Sequence, residues 1–354
     1  MARKRSINLR QSFLVVLMML LVSLAGAAQA TVPSGPPKPS APDAVAATSA
    51  SREDWQSLSL ATSGLHAQPP LVGEKDELPR FTRELIQVQW RQADPIDLYV
   101  IRPHGVEKPP AILYLYSYDA VGDRFRDNDW CERVTAGGFA AIGFVSALTG
   151  DRYHDRPMKK WFVSELPEAL VTSVHDVQMI LNYLATRGDI DMAQIGMLGT
   201  GSGATIAILA AAVDPRLKAI DLLEPWGDWP DWLAGSALIP EEERASYLKP
   251  EFLKQVAAID PLQWLPQLKS QRVRLQYVAD DPMIPKIVQE RMAGAILPTA
   301  HAVKYDDNVA LFRETSGGRF FDWIKQQVRS TAPLQPGTAD PDRADASVPA
   351  FAHN

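Results

Sequence analysis

Ile195-Gly196-Met197-Leu198-Gly199-Thr200-Gly201-Ser202-Gly203-Ala204 is the stretch on which the fold turns. The run from Gln194 to Leu198 reads as a buried strand. Three glycines alternate through the next five residues, and a helix of small residues follows from Ser202 to Val213. A strand that passes through such a turn straight into a helix needs glycine for two separate reasons. Gly199 and Gly203 remove the Cβ atoms that would hold helix and strand apart, and Gly201, between them, tolerates a positive φ.

Strand and helix signals alternate on both sides of this unit, which argues for a mostly parallel sheet with helices on both faces. Glu84 to Trp90 and Ile96 to Ile101 read as two strands joined by a turn at Ala93-Asp94-Pro95. Ala111 to Tyr116 and Phe139 to Val145 are short apolar runs of the kind buried on both faces. Between them a helix near Trp130 to Thr135 stops at Gly137-Gly138. From about Glu165 to Thr186, Leu170, Val174, Val177, Leu181 and Leu184 fall on one helical face. Strands at Ala219 to Leu223, Arg274 to Val278 and Ala302 to Tyr305, with helices near 285–293 and 318–328, complete the set.

With 354 residues, 46% of them hydrophobic, the chain has ample material for one large core. Residues 1–30 have the layout of a signal peptide: a basic start (Arg3, Lys4, Arg5, Arg10), an apolar run from Phe13 to Leu24, and a small-x-small site at Ala28-Gln29-Ala30. The expectation is an exported protein, periplasmic or secreted, with no membrane span once the leader is cleaved. Losing the leader's four positive charges takes the formal net charge from −6 to −10. An acidic chain of this kind is a poor partner for nucleic acid. Cys131 is the only cysteine, so no internal disulfide forms; it is expected inside a helix as a small buried residue. Residues 31–80 are a Pro/Ala/Ser-rich linker and N-terminal extension, 81–330 form the main domain, and 331–354 are expected to be a disordered tail.

The order of elements, with the glycine turn after the fifth strand, resembles the α/β-hydrolase superfamily over about residues 84 to 328. Two more segments carry the likeness. Val278-Ala279-Asp280-Asp281-Pro282-Met283-Ile284-Pro285 is similar to the D-P-x-[IV]-P turn after the penultimate strand. Asp260-Pro261-Leu262-Gln263-Trp264-Leu265-Pro266 is similar to the segment entering that strand in dienelactone-hydrolase-like and prolyl-oligopeptidase-like members. The resemblance implies an α/β-hydrolase fold with a mostly parallel eight-stranded sheet, helices on both faces and a small cap insertion at about 224–270. It places the acidic triad member at Asp281.

The family's G-x-S-x-G elbow carries its nucleophile at the centre, and here that position is Gly201. Ser202 comes one place late, in the first helical turn, where a hydroxyl ordinarily bonds backbone. The histidine expected after the last strand is absent: Tyr305 is followed by Asp306, Asp307 and Asn308, and Asn308 takes its place without being a base. His104 and His301 fall at the far end of the sheet, His353 lies in the tail, and His66 belongs to the N-terminal extension. His175 is expected as a solvated surface residue of its helix. His154, in the charged loop after the fourth strand, is the one histidine on the functional rim. An active site would therefore use Ser202, His154 and Asp281. Around the elbow, Gly199, Gly201, Gly203, Tyr116, Ser117, Glu224 and Asn308 are the candidate pocket residues, with Tyr116-Ser117-Tyr118-Asp119 replacing the glycine-rich oxyanion loop.

Three functions remain open on these residues. One is a ligand- or partner-binding protein with a degenerate triad. Another is an active carboxyl-ester or acyl hydrolase using Ser202 with a rearranged base. The third is dinucleotide binding, since Gly199-x-Gly201-x-x-Ala204 fits the G-x-G-x-x-[GA] fingerprint and Glu224 ends the next strand. No cofactor is implied under the first two, no metal-ligand spacing of His or Cys is present, and oligomeric state is not encoded in the pattern. Trp226, Trp229 and Trp232 are expected to pack the cap onto the core, the alternative being that they line the pocket.

Overall fold

The computed structural model describes residues 53–334 apart from 62, 64, 92–93, 119–121, 149–164 and 269–270. The leader and linker, Asp119, His154 with its loop, and the tail from 335 onward lie outside the described residues. The expected signal peptide and disordered tail fall there too.

Nine strands form one sheet: β1 (Leu71–Glu77), β2 (Phe81–Arg91), β3 (Asp94–Pro103), β4 (Ala111–Leu115), β5 (Ala140–Gly143), β6 (Ile195–Thr200), β7 (Leu217–Leu223), β8 (Arg272–Val278) and β9 (His301–Tyr305). Their order is β1-β2-β3-β5-β4-β6-β7-β8-β9. The β1–β2, β2–β3 and β3–β5 pairs are antiparallel, and every pair from β5–β4 to β8–β9 is parallel. This is the α/β-hydrolase arrangement, with one strand more than the eight expected. The additional strand is β1, an edge strand that pairs only with β2 and is almost wholly exposed. Its charged residues Glu74, Lys75, Asp76 and Glu77 suit a sheet edge and leave no apolar alternation to read. The sheet therefore starts ahead of residue 81, inside the segment expected to be an extension.

Ten α-helices accompany the strands among the described residues: α1 (Asn128–Thr135), α2 (Leu166–Arg187), α3 (Ser202–Val213), α4 (Trp229–Gly235), α5 (Glu241–Tyr247), α6 (Pro250–Ala257), α7 (Pro261–Trp264), α8 (Lys286–Ala295), α9 (Asn308–Thr315) and α10 (Asp322–Arg329). Residues of α2 and α3 build the larger core on one face of the sheet, and residues of α1 and α10 the smaller core on the other. β4 and β5 are buried along their whole length, as expected of central strands covered on both faces. Cys131 is buried in α1. The cap insertion is helical, α4 to α7, between β7 and β8. None of the described helices is long and apolar enough to cross a membrane.

The placement of His175 corrects the expectation of a solvated residue: it is fully buried. The reason is the segment from Glu53 to Leu60, which lies across α2 and hides that face. His175 Nδ1 is 2.6 Å from Glu53 Oε1, and Nε2 is 2.6 Å from the Ser57 carbonyl. One turn on, Gln178 accepts from the Leu60 amide at 2.9 Å and donates to the Leu58 carbonyl at 2.7 Å. Leu58 and Leu60 join the larger core, so part of the N-terminal extension belongs to the domain.

Candidate functional site

The parallel strands β4, β6, β7 and β8 end on one side of the sheet, and the residues that follow them converge there. At the centre is Gly201, with φ 53° and ψ −122°. This is a backbone conformation that side-chain-bearing residues adopt only under strain. A Cβ built on Gly203 would lie 2.0 Å from the Leu115 carbonyl oxygen, and one on Gly199 would lie 2.4 Å from the Gly203 oxygen. The flanking glycines are thus dictated by contact between α3 and the neighbouring strands. A Cβ on Gly201 would stand 2.7 Å from Ser117 Oγ. The Ser117 hydroxyl, coming from the loop after β4, fills the space an elbow side chain would need.

Two hydroxyls beside Gly201 hold that loop. Thr200 Oγ1 accepts from the Ser117 amide at 3.1 Å, and Ser202 Oγ accepts from the Tyr118 amide at 2.9 Å. Ser202 is fully buried and does not line the cavity. The Gly201 amide donates to the Leu223 carbonyl at 2.9 Å, so one N–H of the glycine turn is already used within the sheet.

A cavity of about 370 Å³ opens over this turn. Its polar lining is Ser117, Thr200, Arg124, Thr315, Glu224 and Asp281, and its aromatic lining is Tyr116, Tyr118, Trp226 and Phe320. Glu224 directly follows β7 with a positive φ of 54°, unusual for a side-chain-bearing residue. Its amide donates to the Gln276 carbonyl at 2.8 Å, and its Oε1 accepts from the Val278 amide at 3.4 Å. Burial, and then the hydrogen-bonded Asp281 carboxyl beside it, push the Glu224 pKa up to about 8. Asp281 Oδ1 also accepts from the Met283 amide at 2.7 Å, which fixes the turn it sits in. On the loop side, the Arg124 guanidinium lies 4.4 Å above the Tyr116 ring. Tyr116 is held in place by the Trp130 indole, which donates to its hydroxyl at 3.0 Å.

Of the candidate residues, Gly201, Tyr116, Ser117, Glu224 and Asp281 meet at this cavity. Asn308 does not; it is exposed at the start of α9, and Leu311, Thr315 and Phe320 supply the lining from that part of the chain. No histidine lines the cavity among the described residues, and no group of three or more His, Cys, Asp or Glu is placed to hold a metal. His104 sits near Thr82 and Glu77, and His301 starts β9 exposed; neither lies at the ends of β4, β6, β7 and β8. Arg124 was not foreseen, because a lone arginine in a short 3-10 turn (Gly122–Arg126) carries no periodicity or spacing. The tryptophans do both of the things considered for them. Trp226 and Trp232 stack at 4.8 Å, Trp229 meets Trp232 edge-on at 5.6 Å, and all three are buried, while Trp226 also faces the cavity. Asp260 fixes the start of the cap by accepting from the Asp228, Trp229 and Leu262 amides.

No protein-family model matches the chain, and no curated protein does. Solved structures do match. An acetyl xylan esterase from a Paenibacillus species superposes with a TM-score of 0.56 at 14% identity, covering 77% of this chain and 92% of that one. Acetyl xylan esterase 1 from a Thermoanaerobacterium species gives 0.52 at 15% identity, covering 69% and 82%. A 2,6-dihydroxy-pseudo-oxynicotine hydrolase gives 0.52 at 18% identity, covering 75% and 70%. At these identities the likeness is one of fold: the chain has the α/β-hydrolase fold.

Proposed function

We propose that this protein binds a small molecule in the cavity over the glycine turn and does not work by serine acyl transfer. Gly201 carries the reading. The elbow backbone is there, with its positive φ and its glycine-packed helix, but the position that would present a nucleophile has no side chain. Ser202, the nearest substitute in sequence, spends its oxygen on the Tyr118 amide and is sealed from the cavity. The cavity itself is of the size small ligands occupy, with an apolar wall and a few converging polar groups. Export through the N-terminal leader is part of the same proposal, and secretion of the full-length chain with loss of residues 1–30 is its measurement.

Ser117 supports a second reading, as a hydrolase, because its Oγ stands where the elbow side chain would be. One experiment separates the two. The purified protein is treated with a fluorophosphonate probe and assayed with 4-nitrophenyl acetate. The expected result is no labelled serine and no turnover above buffer. Labelling of Ser202 or Ser117 on peptide mapping, with turnover abolished by the matching alanine substitution, overturns the proposal.

A further inference from the structure

Opposite charges line this cavity without a counter-charge from the described residues. Among the described residues, no cation lies within ion-pair distance of Glu224 or Asp281, and no carboxylate lies within that distance of Arg124. Five other arginines of the domain are each completed by an acid. Arg83, Arg91, Arg187, Arg216 and Arg274 each hold a carboxylate at 2.5–2.8 Å. Arg124, exposed beside the cavity, has Tyr116, whose ring it covers and whose hydroxyl it hydrogen-bonds. Glu224 and Asp281 have each other, which for two carboxyls is a repulsive arrangement unless a proton or a cation joins them.

Building on the ligand-binding reading above, we propose that the cavity takes a dipolar small molecule, an amine and a carboxylate on an apolar frame. The ammonium sits between Glu224 and Asp281, and the carboxylate meets the Arg124 guanidinium. The aromatic and aliphatic wall, Tyr118, Trp226, Leu238, Ile284 and Phe320, takes the frame. Each charged end then supplies the counter-charge that the described residues do not. A guanidinium has five N–H donors, so one that rests on Tyr116 and bonds its hydroxyl still has donors for a carboxylate. An ammonium between two carboxylates replaces the shared proton with a full positive charge. A doubly charged phosphate fits less well, because one guanidinium balances only one of its charges and the carboxyl pair repels the other.

Binding in this way moves a proton. In the free protein the pair retains a proton at neutral pH, held mainly on Glu224 by burial and by Asp281. The other groups facing Glu224 are the Val278 amide and the buried Tyr277 phenol, which stays neutral because burial pushes its pKa up further. An arriving ammonium favours the ionised form of both carboxyls, so the shared proton leaves to the buffer. No bond is made or broken.

The test is isothermal titration of the full chain near neutral pH, in phosphate and in Tris, whose ionisation enthalpies differ. The probes are straight-chain ω-amino acids of about four to eight carbons and glycyl-L-phenylalanine, each beside its amide (no carboxylate) and its hydroxy acid (no amine). The expected result is one or more dipolar probes bound at least about tenfold more tightly than either single-charge analogue. Heats should differ between buffers by the release of close to one proton. Arg124→Gln should erase the preference over the amide, and Glu224→Gln or Asp281→Asn the preference over the hydroxy acid together with the proton release. Equal binding of a single-charge analogue, tighter binding of phenyl phosphate, or no binding of any dipolar probe at about 10 mM (a floor far above ordinary ligand affinities) overturns the inference. The fluorophosphonate experiment reports separately: an unlabelled protein that ignores dipolar probes sinks this inference alone, whereas a labelled serine sinks the ligand-binding reading beneath it.

Discussion

Two clusters of charge differ in one respect, and the difference separates structure from function. Over α2, Arg91 grips Glu53 with two nitrogens at 2.7 Å each and Asp176 at 2.5 Å, and Glu53 in turn meets His175 at 2.6 Å. The Trp55 ring covers the guanidinium at 5.2 Å. Every charge has a counter-charge within the fold. In the cavity, Glu224 and Asp281 face each other and Arg124 faces a ring. The first cluster closes the N-terminal segment onto the domain. The second has no counter-charge among the described residues, and the proposed ligand would complete it. Removing one member of the closed cluster should therefore harm the fold, and removing one member of the open cluster should relieve it.

The largest effect is expected at Arg91. Arg91→Met takes from the buried Glu53 and Asp176 the guanidinium that both of them grip, a loss on the order of 3–5 kcal/mol. Urea unfolding followed by tryptophan fluorescence measures it, and Trp55 should loosen first. A loss below about 1 kcal/mol would show that the segment is held by Leu58 and Leu60 alone and would break the comparison.

Glu224→Gln should act in the opposite direction, and only above acidic pH. The carboxyl titrates near 4.5 as an ordinary glutamate and near 8 in the folded protein. Below about pH 4.5 it is protonated in both states and has no effect on stability. Between the two values the unfolded chain ionises while the folded one retains its proton, so stability falls as pH rises, and above about 8 the whole penalty is in place. Glutamine keeps the shape and cannot ionise. Urea unfolding at about pH 4 and pH 9 should show little difference at the lower pH and a gain of roughly 2 kcal/mol for the variant at the higher, the full shift being discounted for partial solvent access. A variant that is destabilised at the higher pH would mean that Glu224 has a partner inside the fold.

Ser202→Ala sharpens the contrast on the elbow itself. Its hydroxyl is a paired, buried group like those of Arg91, and by the same logic it is structural. Losing it removes the hydroxyl that accepts from the Tyr118 amide, at a cost of about 1 kcal/mol. A thermal melt measures the loss, and ligand affinity should change little. A variant of unchanged stability that loses turnover of an ester would assign Ser202 to chemistry.

How much of this was legible in the chain follows from the range of the interactions. The glycine turn, its strand and its helix were legible because the residues that dictate them are adjacent: Gly199 and Gly203 meet each other and Leu115 at backbone distance. The helix bounds at Ser202 and Val213 came out as read. Glu224 and Asp281 were placed on the functional rim because strand ends are readable. Their hydrogen bond was not, since it spans two parallel strands. His175 was misplaced for a related reason. Helical periodicity reports how polar a face is, and this face is polar because a second segment, more than a hundred residues away, bonds to it through Glu53, Ser57 and Leu60. Strand β1 escaped because an exposed edge has no buried face to leave a pattern.

The smallest effect expected concerns pairing without burial. On α8, Lys286 and Glu290 stand one turn apart at 3.8 Å, with side chains 73% and 58% exposed. They have partners, as Arg91 does, yet water competes for both. Removing Lys286 leaves Glu290 solvated and not stranded, so Lys286→Ala should change stability by no more than about 0.5 kcal/mol. High salt should hide even that difference, because exposed charges are screened over about a Debye length. A loss comparable with that of Arg91→Met would mean that the presence of a partner decides the cost. The near-silence expected here says instead that a charge matters to the fold when it is both buried and completed; a sheltered carboxyl with no counter-charge among the described residues, as at Glu224, is where the proposed ligand would act.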